Sequence, residues 1–131
     1  MDLLLNQLAF ILKEYDFELL ECSSAESALG DCYIVLRFGD LDFRIVNDRG
    51  QVFLEFRGAG AKPKDSWYSI DLLVSLITAN TSESAEATEY NMKFLYQRFP
   101  EIIRVFKPTN LDSTITQLDK LGLARSKKLF G

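Results

Sequence analysis

Apolar residues recur at helical spacing from the start of the chain. Leu4, Leu5, Leu8, Ile11 and Leu12 share one stripe and predict an amphipathic helix over residues 2–14. From Phe17 to Cys22 the pattern becomes that of a strand, although Glu21 breaks the alternation. The Ser23–Gly30 stretch has few apolar anchors and reads as a connector.

Residues 32–57 are the most strongly patterned part of the chain. A turn at Gly39-Asp40 pairs Phe38 with Leu41, Leu36 with Phe43 and Ile34 with Ile45, and sets Arg37 opposite Asp42 on the other face. A second turn around Asp48-Arg49-Gly50 is expected to set Ile45 against Val52, Phe43 against Leu54 and Leu41 against Phe56. All these apolar side chains then share one face of an antiparallel meander, and a one-residue slip would reverse them. The other face is mixed: Tyr33, Val35, Arg37, Asp42, Arg44, Val46, Phe53, Glu55 and Arg57. Downstream helices are expected to cover it, with contact to another protein as the alternative.

Gly58-Ala59-Gly60-Ala61-Lys62-Pro63-Lys64 reads as a sheet-to-helix crossing and lacks the spacing of a phosphate-binding loop. Trp67 then anchors the start of a helix bearing Leu72, Leu73, Leu76 and Ile77. A further helix is expected over residues 83–98, with Met92, Leu95 and Phe99 on one stripe and Tyr90, Phe94 and Tyr96 as core aromatics. Pro100 ends or kinks it. A last helix carries Leu111, Ile115, Leu118 and Leu121 up to Gly122, followed by a basic tail of Arg125, Lys127 and Lys128. The expected fold is therefore α+β in a single domain over 1–131: an N-terminal helix, a four-stranded antiparallel meander, and three or more C-terminal helices packed on the sheet.

Composition narrows the chemistry. The 131 residues are 47% hydrophobic and 26% charged, as in a globular domain, and no run approaches the roughly 18 apolar residues of a membrane span. The opening Met-Asp-Leu-Leu-Leu lacks the basic start of a secretory signal, so a cytoplasmic location is expected. There is no histidine, hence no imidazole for a catalytic triad or an ordinary zinc site. Two cysteines, Cys22 and Cys32, are too few for a disulfide scaffold and are expected as reduced, semi-buried thiols. Carboxylate-only catalysis would need two acids converging in a deep pocket, and no convincing pair is present. We expect no enzyme, no cofactor and no metal.

Charge is unevenly divided. Residues 1–60 carry eleven acids and five bases, whereas residues 61–131 carry eight acids and ten bases. The acids Asp16, Glu18, Glu21, Glu26 and Asp31 form one cluster, which would repel nucleic acid and attract a basic protein. With Tyr33, Phe53 and Trp67 as candidate desolvated anchors, they make up the expected partner-binding residues.

The segments LDFRIVNDRGQVFLEFR at 41–57, WYSIDLLVSLI at 67–77 and ITQLDKLGLARSKKLFG at 115–131 make the chain resemble bacterial immunity proteins of polymorphic or contact-dependent toxin systems. The resemblance implies a protein that binds and neutralises its cognate toxin domain, commonly a basic nuclease, as a monomer in a 1:1 complex without contacting nucleic acid or membrane. A small acidic secretion chaperone is the alternative, although such proteins usually interleave helices and strands.

Overall fold

The computed structural model describes residues 2–24, 32–61, 66–82 and 84–130. Helix α1 (Asp2–Glu14) leads into strands β1 (Glu18–Ser24), β2 (Cys32–Phe38), β3 (Leu41–Asp48) and β4 (Gln51–Gly58). A short β5 (Tyr68–Ser69) precedes α2 (Ile70–Thr78), α3 (Glu89–Val105) and α4 (Pro108–Phe130). The strands form one antiparallel sheet in the order β1-β2-β3-β4-β5. The α+β architecture is as expected, with five strands rather than four.

The β2–β3 hairpin has the expected register, with Phe38 opposite Leu41, Leu36 opposite Phe43 and Ile34 opposite Ile45. The β3–β4 hairpin is shifted by two residues from expectation: Phe43 faces Phe56 and Ile45 faces Leu54, while Leu41 faces Gly58. The cause is a tight two-residue turn. Arg49 (φ 54°) and Gly50 (φ 87°) both take left-handed backbone, as the twist-matched hairpin turn requires, and Asn47 Oδ1 accepts from the Gly50 N–H at 3.2 Å. A two-residue shift preserves the faces, so the apolar set stays inside. It also aligns Asp42 with Arg57 and Arg44 with Glu55 on the opposite face. Where Gly58 meets α4, a Cβ would lie 3.0 Å from Leu111 Cδ1, which explains the small residue at this close approach.

The core lies between the sheet's inner face and the helices. Leu36, Phe38, Leu41, Phe43, Leu54 and Phe56 pack with Ile11 of α1, Leu73 of α2, Met92, Leu95 and Phe99 of α3, and Leu118 of α4. Phe38 joins the layers, with its ring 5.0 Å from Phe99 and 6.0 Å from Phe17. The stripe of α1 is described at Leu8, Ile11 and Leu12; the side chains of Leu4 and Leu5 lie outside the described residues.

Three expectations about the helices need correction. Helix α3 begins at Glu89 rather than near residue 83, because the Thr88 hydroxyl caps it by accepting from the Asn91 N–H at 3.1 Å. The Ala85–Ala87 stretch runs instead beside β4: Leu54 N–H donates to the Ala85 carbonyl and Ala87 N–H to that of Val52. Helix α3 also runs through Pro100 to Val105, and Tyr90 and Tyr96 point outward rather than into the core. Helix α4 continues past Gly122, and Arg125 reaches back to Asp71 of α2 at 2.5 Å, so this base ties two helices together. The side chains of Lys127 and Lys128 lie outside the described residues.

Buried polar groups secure these joints. Asn91 is fully buried, accepts from the Ser82 hydroxyl and donates to the carbonyls of Ser84 (2.7 Å) and Glu86 (2.8 Å). It thereby holds Ser82 and residues 84–87 against the sheet. Thr114 of α4 donates to the Val105 carbonyl at the end of α3. Satisfying these groups removes the penalty that burying them would otherwise carry.

Candidate functional site

The outer face of the sheet is where the structure departs most from expectation. The helices pack chiefly on the inner face, and α4 borders the outer one at Arg57. Of the residues expected to be covered there, Val35 and Asp42 are buried and Tyr33, Arg37, Arg44, Val46, Phe53, Glu55 and Arg57 are half-buried; among the described residues the cover comes from Trp67 and from α4 beside Arg57. The inner-face apolar residues already take up the buried faces of the helices.

Strand pairing arranges the outer face in rows. Glu18, Arg37, Asp42 and Arg57 form one; Glu21, Val35, Arg44, Glu55 and Ser69 the next; Ser23, Tyr33, Val46, Phe53 and Glu86 the third. These rows hold five carboxylates against three arginines, so the face carries a negative excess. Arg37 grips Asp42 in a two-point contact, Nε to Oδ1 at 2.8 Å and Nη2 to Oδ2 at 3.1 Å, and also donates to the Ala59 carbonyl. That clasp leaves Asp42 buried, and the adjoining carboxylate holds the Arg37 pKa above its ordinary value. Arg44 donates to Glu55 Oε1 at 2.7 Å.

Trp67 lies on the same face. The guanidinium carbons of Arg44 and Arg57 sit 4.4 and 4.2 Å from its ring centre, within reach of cation–π attraction. Trp67 thus anchors the approach to α2 against the sheet, as expected, and holds two arginines in place at the centre of the face.

A bulge resolves the irregularity that Glu21 introduces into the β1 pattern. Leu19 pairs with Leu36 and Glu21 with Val35, which leaves Leu20 as the extra residue. Glu21 consequently turns to the outer face, as Glu18 does, and accepts a 2.6 Å hydrogen bond from the Tyr33 hydroxyl. This bond is the main cause of the raised Tyr33 pKa, with desolvation adding to it.

Five of the expected partner-binding residues therefore come together: Glu18, Glu21, Tyr33, Phe53 and Trp67. Asp16 is exposed in the turn before β1. Glu26 and Asp31 lie outside the described residues. The sequence did not reveal the contribution of Glu86, which joins the face through its bridge to Phe53, because residues 83–87 carry a helical pattern.

Elsewhere, a cleft of about 420 Å³ between β4, the 58–61 turn and α4 is lined by Arg57, Tyr68, Leu111, Ile115 and Asp119, among others. Asp119 is the one carboxylate among its described lining residues, and it accepts from the Tyr68 hydroxyl at 2.8 Å. Cys22 and Cys32 are free thiols, and both are exposed rather than half-buried as expected. Ser24, not Cys22, is the residue directly opposite Cys32. Among the described residues no group of three or more Cys, Asp or Glu side chains is placed to hold a metal ion, and no helix is long and apolar enough to cross a membrane. No family model matches this chain, and no curated protein or solved structure is significantly similar to it.

Proposed function

We propose that this chain is an immunity protein. It binds a cognate toxin domain in the cytoplasm, one to one, and blocks that domain's basic substrate surface; a nuclease is the toxin class that best suits it. The observation that carries this reading is the gathering of Glu18, Glu21, Tyr33, Phe53 and Trp67 on the outer face of the sheet. Its acidic margin, continued by Asp16, complements lysines and arginines that would otherwise hold phosphate. Such charges speed encounter and exclude wrong partners. Trp67, Phe53 and Tyr33 supply the aromatic surface from which central binding energy usually comes.

The chaperone reading is less well supported, because the strands form one block with the helices outside it rather than interleaved. Co-expression with a toxin domain, should one be encoded beside this gene, is the direct test. Restored growth and co-purification at equal stoichiometry are expected. Growth arrest despite abundant folded protein would refute the reading.

A further inference from the structure

We infer that the outer flank of β1 receives an extended partner segment as an added strand, one in which basic and apolar side chains alternate. The nature of the partner rests on the immunity reading; the mode of docking rests on the observations that follow.

The two flanks of the sheet are treated differently. The flank of β4 is occupied by Tyr68–Ser69 and, further along, by Ala85–Ala87, which Asn91 fixes in place. No such cover lies along β1 among the described residues: the sheet order ends there, and every residue from Asp16 to Cys22 is exposed. The sheet order makes β1 an edge strand, and the exposure of its consecutive residues leaves both of its faces open as well.

That flank carries apolar side chains as well as edge-guarding ones. Phe17, Leu19 and Leu20 are 46%, 55% and 39% exposed with no lysine or proline among them, while the Leu20 bulge and the two glutamates select against an unmatched strand. Glu18 stands among them and Glu21 follows them; like Asp16, neither makes an ion pair among the described residues, and Glu21 accepts from the Tyr33 hydroxyl there. A strand added here would gain main-chain hydrogen bonds, place its apolar side chains beside Leu19 and set its bases against the two glutamates.

The same charges disfavour a second copy of this chain as the occupant. In the antiparallel registers of β1 with β1 that set Glu18 across from Glu21, or Glu21 across from itself, like charges face one another and repel. A basic partner strand meets no such opposition.

A short synthetic peptide of alternating Lys and Val, added to the full chain, provides the test, read by amide hydrogen exchange. At saturation, exchange over Glu18–Ser23 is expected to slow by about tenfold or more while that over Val52–Leu54 stays unchanged. The Glu18→Lys/Glu21→Lys variant is expected to lose this protection and gain it with a Glu–Val peptide. Equal protection of the natural chain by both peptides, or none by either, overturns the inference. Concentration-dependent protection without peptide also overturns it, by assigning the flank to a second copy. A toxin domain that is neutralised while residues 18–23 exchange freely defeats strand addition and leaves the immunity reading intact. Strand addition of the peptide by a chain that binds no toxin has the opposite meaning.

Discussion

The rings of Phe43 and Phe56 face each other across β3 and β4, 4.8 Å apart and within 3° of parallel, and both are fully buried. The pair joins the two central strands at the level where Phe38 meets α3. Their contact exists only in the register that the Arg49-Gly50 turn sets.

Phe56→Ala should therefore cost about 3–5 kcal/mol, the range for truncating a buried phenylalanine. Urea unfolding checks it, and a loss below about 1 kcal/mol would mean that the stack is not central to the core.

The first hairpin was legible because Gly39-Asp40 is short and flanked by strict alternation. The second was legible in its faces but not in its register, since moving one strand by two residues keeps every apolar side chain inside. The information that selects between those registers is polar: Asp42 with Arg57, Arg44 with Glu55, and the Asn47 contact with Gly50. At residues 83–88, Ala85 and Thr88 fit the helical stripe, so periodicity alone could not exclude an earlier helix start. What decides it is Asn91, whose amide bonds to carbonyls that a helix would have used internally. The gathering of Glu18, Glu21, Tyr33 and Phe53 follows from strand parity once the Leu20 bulge is known, and a bulge leaves little trace in composition.

Asn91→Ala should loosen residues 84–87 from β4. The Ser84 and Glu86 carbonyls each lose one donor while keeping the Ser82 hydroxyl and the Thr88 N–H, so about 1 kcal/mol per lost bond is expected. Faster hydrogen exchange at the Ala87 amide, which bonds to Val52 at 2.8 Å, is the expected signature.

Removing Arg37 alone should be worse than removing it together with its partner. Arg37→Met leaves the Asp42 carboxylate buried without its two-point contact, whereas Arg37→Met with Asp42→Leu replaces both by apolar groups. A double-mutant cycle on urea midpoints is expected to show the double variant more stable than Arg37→Met.

Alkaline titration should show Tyr15 and Tyr33 ionising late. Burial, with Glu14 and Tyr96 adding to it, raises Tyr15 above its ordinary 10.0, and the bond to Glu21 raises Tyr33 above the same value. In the unfolded chain both ionise at their ordinary value, so their contribution to stability is fully present below pH 10 and is lost as pH climbs through the raised folded-state values. Following phenolate absorbance, Tyr33→Phe should remove one late transition, and Glu21→Gln should move it back toward 10.

Reversing Glu18 and Glu21 to lysine should slow association with the toxin domain and flatten its dependence on salt, while dissociation changes less. Stopped-flow mixing over a salt series reads this directly, and association rates equal to those of the natural chain would remove the electrostatic part of the mechanism.

The Ala85–Ala87 run beside β4 also bears on how far any assembly can grow. It occupies β4 main-chain groups that a neighbouring molecule's strand would otherwise use. Growth of the sheet by direct addition to β4 is thus obstructed for as long as Asn91 keeps that run in place.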